Sequence, residues 1–422
     1  MKVAISLGAI SATAIVIAFF SQWFIIVTLG AGRPTDALFA GLAVPQLVLV
    51  VIGGSLTHVL LPLLSSERGE QARIDAQQLF TAVGMVFATF ALLLIVFAPW
   101  WAPFVFPGFQ GPERALLIRL TQIQSIAMVF TAIWGVLWAY HYSRQRLIWA
   151  EFSQILAGLL SLGLLIWLLP RLGVVVAAWL SVFRSVLQCA VLLPGVGAPR
   201  FARTGSATVR EAWRRIRPLL IGTSYYKTDT VVDRMLSSMA PAGGLSLLYL
   251  GQQLYGAGNQ IINTALVGPL VPVLSSSAKT GRWEDFRRTY RQRIALVAIL
   301  ALSAYIILIA AGHMILSLLI GHGGVTRGNV LLLWSLMVAL GGTFLGGAVG
   351  QVTSIVFYSA GDTRTPTRLG IITYTIYVPL KILAFLKFGL IGLAVSSSIF
   401  FLGNVALQYA FIARKIPSRN AP

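Results

Sequence analysis

Leu61-Pro62-Leu63-Leu64-Ser65-Ser66 and Val271-Pro272-Val273-Leu274-Ser275-Ser276 are two spellings of one segment, 210 residues apart. Each leads at the same distance to an acid and then a ring: Asp75 and Phe80 after the first, Asp285 and Tyr290 after the second. Further on, Tyr142-Ser143 and Arg171-Leu172-Gly173 match Tyr358-Ser359 and Lys387-Phe388-Gly389 at an offset of 216. A nearly constant offset over such a length marks an internal duplication. It divides the chain into an N-terminal lobe at 1–195, a linker at 196–217 and a C-terminal lobe at 218–422.

Outward from these segments the charges disappear. No acid or base falls in 3–32, 37–66, 76–112, 152–170, 294–326, 328–361 or 388–413. A helix crosses about 30 Å of hydrocarbon with about 20 apolar residues, so each run fits a crossing. The 44-residue gap from 235 to 278 is too long for one crossing and breaks at Pro241-Ala242-Gly243-Gly244, a turn sequence. The reading is an all-α polytopic membrane protein with about twelve spans in two six-helix lobes. The expected spans are 4–29, 37–65, 77–99, 115–140, 147–169, 173–195, 218–240, 245–275, 294–319, 329–357, 368–386 and 390–413. Six is even, so both copies enter the membrane from the same side, and a site is expected between them.

Of the 422 residues, 57% are hydrophobic and only 10% charged, against about a quarter charged in soluble domains. That composition excludes a soluble enzyme, a secreted disulfide scaffold and a disordered chain. The single cysteine, Cys189, sits in an apolar run and reads as a core residue. The net charge of +20 has a membrane explanation. With the N-terminus cytoplasmic, 22 of the 32 bases fall in inside segments or at the span ends that adjoin them, 6 on the outside counted likewise, and 4 deep within spans. That asymmetry places both termini inside and makes the Arg-rich stretch 200–217 a topology determinant, not a nucleic-acid site.

Several residues carry a resemblance. Gly30-Ala31-Gly32-Arg33-Pro34-Thr35-Asp36-Ala37-Leu38-Phe39-Ala40, with Val44-Pro45 and Leu61-Pro62, is similar to the first two spans of the MurJ/MviN lipid II flippase family. So are Phe357-Tyr358-Ser359 with Gly361-Asp362-Thr363-Arg364-Thr365-Pro366, and the stretch from Leu248-Tyr249 to Pro272. The resemblance runs over most of the chain and implies the multidrug/oligosaccharidyl-lipid/polysaccharide exporter superfamily, whose members alternate access between two lobes. There are departures. The family holds its substrate's pyrophosphate with arginines in spans 1, 2 and 8. Aligned on Gly32 and Asp36, the first two of those positions are Ser21 and Leu49 here. Aligned on Leu248-Tyr249, the third is Gln252-Gln253.

An ion near the bilayer centre costs at least about 2.5–3.5 kcal/mol, which makes it a functional candidate by default. Span 7 carries the densest group: Tyr225, Tyr226, Lys227, Asp229, Asp233 and Arg234. Lys227 and Arg234 are seven residues apart, close to two turns, so one continuous helix would put both on one face of a wet cavity. There they suit a diphosphate, Arg as a bidentate donor and Lys as a point charge. The alternative is that they fix helix packing. Tyr225 is a candidate for stacking on sugars, and Gln252 and Gln253 line the expected cavity wall in span 8. Lys381 lies about 20 Å beyond Arg368, between the depths of Asp229 and Asp233 at about 18 and 24 Å beyond Arg217. These three are expected to pair, either as a lock or as a coupling device. Asp36 is read as structural, and Glu151 with Arg184 as an ion pair inside the first lobe.

His58, His141, His313 and His322 are scattered, no P-loop is present, and no Ser/His/Asp group assembles, so no metal, cofactor or catalytic centre is expected. The reading that results is a flippase of a polyprenyl-diphosphate-linked glycan precursor, lipid II-like or a polysaccharide repeat unit, in the bacterial cytoplasmic membrane. Its expected partners are that lipid-linked oligosaccharide, membrane lipids and glycan-synthesis enzymes. The rivals are an ion-coupled drug antiporter of the same superfamily, a membrane glycan polymerase or transferase, and a scaffold without transport.

Overall fold

The apolar runs become helices because a chain in hydrocarbon must pair its backbone polar groups within each segment. The computed structural model describes residues 2–66, 69–197 and 206–415, and among these every regular element is helical. In chain order they begin with α1 (Lys2–Leu29), α2 (Arg33–Gly41), α3 (Ala43–Val48), a π-helical stretch (Leu49–Gly53) and α4 (Gly54–Ser66). Next come α5 (Gly69–Val105), α6 (Gly111–Ser143), α7 (Leu147–Leu172), α8 (Val174–Val196), α9 (Ala207–Lys227) and α10 (Asp229–Ser238). The remainder is α11 (Gly244–Ile262), a second π-helical stretch (Asn263–Val267), α12 (Leu270–Lys279), α13 (Trp283–Ile320), α14 (Arg327–Ala339), α15 (Gly341–Ser359) and α16 (Arg364–Lys415).

Eight of the described helices are long and apolar enough to cross a membrane. The count reaches ten when two bent pairs are each taken as one span: Gly244–Val267 with Leu270–Lys279, and Arg327–Ala339 with Gly341–Ser359. α16 adds an eleventh, since it is two helices joined at Gly389, where φ is +59°. α9 with α10 covers the remaining expected span, and its charges keep it outside the apolar count. Large apolar side chains lie exposed along these helices, among them Leu92, Trp100, Phe104, Ile306 and Leu318. An apolar girdle of that extent belongs against lipid.

The chain packs as two units, Met1–Ser246 and Leu247–Pro422. In the first, Leu60, Leu64, Leu79, Phe87, Met128, Val136 and Leu192 form a core that also takes in Ala212 and Ile216 of α9. α9 and α10 therefore pack with the first unit, although the sequence repeat begins its second copy with them. The linker half of α9 carries Glu211, bonded by Arg215 at 2.7 Å and Arg214 at 2.5 Å. Those two bonds hold its carboxyl below the usual range.

In the second unit α15 lies close against the second half of α16. Gly342 faces Ser398, and Gly346 faces the backbone of Phe401. Small residues permit that approach. Ser398 Oγ donates to the Ala339 carbonyl at 2.6 Å, and Thr353 Oγ1 to Gln408 Oε1 at 2.6 Å.

Candidate functional site

The Gly30–Asp36 motif builds a clasp at the end of the first unit that the charge count assigns to the outside. Thr35 Oγ1 accepts from Gly32 N at 3.0 Å and fixes the turn into α2. Arg33 Nη1 donates to the Ser238 carbonyl at 3.1 Å, and its Nε lies 3.5 Å from Glu113. Asp36 is 1% exposed. Its carboxylate accepts from Gly243 N at 2.7 Å, Ser246 N at 2.8 Å and Ser246 Oγ at 2.5 Å. Those two amides stand at the start of α11, where helical N–H groups lack partners and negative charge is favoured. The clasp thus ties span 2 to the turn between α10 and α11, across more than 200 residues of sequence.

At the other end of the same span the helix is interrupted. Leu49–Gly53 is π-helical, and such turns leave carbonyls out of the regular ladder. Lys227, at the last turn of α9, donates to the Val50 carbonyl at 2.9 Å. Its charge therefore meets the break in span 2. The helix of span 7 is itself broken at Thr228, which ends α9 and opens α10. Lys227 thus closes α9, and Arg234 lies in the second turn of α10. Lys227 is half-buried, while Arg234, on α10, is only 3% exposed. Tyr225 is exposed, Asp229 half-buried and Asp233 buried.

In the second unit Gln252 and Gln253 are half-buried on α11, and Gln253 Nε2 donates to Tyr249 Oη at 2.7 Å. Lys381 is fully buried on α16, with its ammonium 4.8 Å from the Tyr377 ring. That ring stacks on Phe400 and bonds Ser397 through its hydroxyl at 2.8 Å. Asp229 and Asp233 belong to the first unit and Lys381 to the second. The Asp-Thr-Arg-Thr-Pro segment has a local explanation. Asp362 accepts from Arg364 N at 3.1 Å, Thr365 N at 2.9 Å and Thr365 Oγ1 at 2.6 Å, which caps α16.

The expected pair of Glu151 with Arg184 does not form. Buried Glu151 is bonded by Trp138 Nε1 at 3.2 Å, Tyr142 Oη at 3.1 Å and Gln154 Nε2 at 3.1 Å. Arg184 lies instead near Gly158. The reason is depth. Glu151 sits about 6 Å from the start of α7, and Arg184 about 18 Å from the end of α8 on the same side. Two participants escaped the sequence, Val50 and Ser246. Val50 acts through its carbonyl, and nothing in the residue types announces a π turn. Ser246 had one signal, a hydroxyl three residues after the Gly243 turn.

The model of the lipid II flippase MurJ family matches residues 25–421. A probable lipid II flippase MurJ of Buchnera aphidicola subsp. Baizongia pistaciae is 21% identical over all of this chain and 85% of its own length. One from Bdellovibrio bacteriovorus is 24% identical over 57% of this chain and 47% of that protein, so that alignment spans less than half of the relative. A solved structure of a lipid II flippase MurJ in an inward closed conformation superposes with a TM-score of 0.84 at 17% identity, covering 98% of this chain and 88% of that one. An inward-facing multidrug resistance MATE family transporter superposes at 0.79 and 14% identity, covering 98% of each. At those identities the structures speak for the fold alone.

Proposed function

This chain belongs to the MurJ family of lipid II flippases, and we propose that it moves a polyprenyl-diphosphate-linked glycan across the inner membrane by alternating access. The family match over 25–421 carries the proposal. Lipid II is the substrate for which the family is named, and a polysaccharide repeat unit on the same carrier has the same diphosphate. Both termini lie in the cytoplasm, with the substrate entering from that side. No bond is made or broken in this reading.

The diphosphate contact falls to Lys227. Leu49 stands where the resemblance implies a span 2 arginine, and the Lys227 ammonium bonds the carbonyl of the next residue, Val50. A base delivered from α9 thus supplies charge where span 2 has none of its own. Lys is a mobile point charge, so it can exchange a carbonyl for a phosphate oxygen. Tyr225, two residues before Lys227 in the same unit, would contact the sugar side of the head group. Reconstitution of the full chain in liposomes with fluorescent lipid II tests the function. Protein-dependent movement between leaflets is expected. No movement of lipid II or of any other polyprenyl diphosphate glycan overturns it.

A further inference from the structure

A cavity of about 640 Å³ opens where α12 meets the first turns of α13. Its lining brings together Ser276, Ser277 and Thr289 hydroxyls with the guanidinium groups of Arg282 and Arg288; Asp285 is the one acid. Arg282 is already oriented, with Nε bonded to Thr280 Oγ1 at 3.1 Å and Nη1 3.8 Å from Asp285. Two forked cations among hydroxyl donors match a phosphate group.

The internal repeat supplies a control. At the offset of 210, Arg282, Arg288 and Thr289 correspond to Ala72, Gln78 and Leu79. In the first copy those positions are closed. Ala72 and Leu79 are buried, and Gln78 accepts from Ser206 Oγ at 2.6 Å beside α9. The same helix corner thus has no base at the three matched positions, and its one nearby base, Arg73, is engaged by the Val196 carbonyl at 2.8 Å. In the second copy it carries two arginines around open space. The fold does not demand them, and a positive-inside bias alone would be served equally by Arg287 or Arg291, which are outside the lining.

We infer that this cavity binds a phosphate group, presented by an anionic lipid of the inner leaflet or free in solution. The site is separate from the transport proposal and does not depend on it. The test uses the full chain in mild detergent, with native mass spectrometry against phosphatidylglycerol and, separately, inorganic phosphate. Three proteins are compared: the parent, Arg282→Gln with Arg288→Gln, and Arg287→Gln with Arg291→Gln. The groove double variant should lose about tenfold or more in affinity, the loss of a charge-assisted contact or two, while the control stays near the parent. Retention of the lipid that millimolar phosphate does not displace assigns a lipid head group. Saturable phosphate binding without lipid retention assigns the free ion. Equal loss in both double variants, or no binding of either probe by the parent, overturns the site. If the groove variant melts lower than the parent, Arg288→Lys must restore binding for the inference to stand.

Discussion

Asp36 shows how much one buried carboxylate holds. It meets two amides and a hydroxyl at the start of α11, and bonds to a charged group contribute roughly 1.5–3 kcal/mol each. Asp36→Ala should therefore lower the unfolding temperature in mild detergent well below that of Ser246→Ala, which removes one of the three bonds. Equal melting of the two variants would mean that the carboxylate is not the anchor. Lys227 and Arg234 separate on the same logic. Lys227 is half-buried with its ammonium on a carbonyl, so Lys227→Ala should fold and lose roughly tenfold in affinity for a polyprenyl diphosphate. Arg234 is enclosed, so Arg234→Ala should instead lower stability by about 1 kcal/mol or more. Equilibrium binding and thermal melts on the same preparations distinguish them; the reverse assignment refutes this division of roles. Both positions were legible in the sequence as intramembrane charges. Their surroundings were not, since a partner 177 residues away leaves no trace in local spacing.

Elements carry the duplication more faithfully than residues do. Spans 2 and 8 both contain a π turn, at Leu49–Gly53 and Asn263–Val267. Spans 5 and 6 turn at Gly173 with φ +72°, and the matching turn in α16 is Gly389 with φ +59°. That conformation is open to glycine and strained for other residues. Gly389→Ala should destabilise by about 1–2 kcal/mol although no atom crowds the position. Gly403→Ala, with equal space and a helical backbone, should be neutral or stabilising by up to about 1 kcal/mol. Thermal melts of the two variants decide, and matched shifts would contradict the backbone argument. The start of α16 is testable too. Asp362→Ala removes the acceptor for two helix-start amides, so hydrogen exchange at Arg364 and Thr365 should quicken severalfold while the middle of the helix stays protected. Exchange unchanged at both amides would show that the cap is dispensable.

At the scale of the molecule, the charge asymmetry makes a prediction that packing does not. In a Cys189→Ala background, Gly281→Cys should react with a membrane-impermeant thiol reagent only after the inner side is exposed, and Gly324→Cys should react from outside in intact cells. Labelling from the same side would refute the twelve-span alternation. The sequence by itself determined a helical membrane protein, its approximate spans and its duplication. These follow from hydrophobic run length and repeated residue pairs, which are local quantities that bilayer thickness converts directly into crossings. It also marked Lys227, Arg234 and Lys381 as costly charges. Tertiary structure decided what those charges touch and where the chain divides. The repeat splits at 196–217, whereas packing splits after Ser246, because Ala212 and Ile216 join the first core and Asp36 holds the turn before α11. It also decided that Glu151 meets Trp138, Tyr142 and Gln154, not Arg184. Depth along two antiparallel helices, a π turn that shifts register and a break at Thr228 all depend on how helices settle against one another, and a linear pattern of residue types does not encode them.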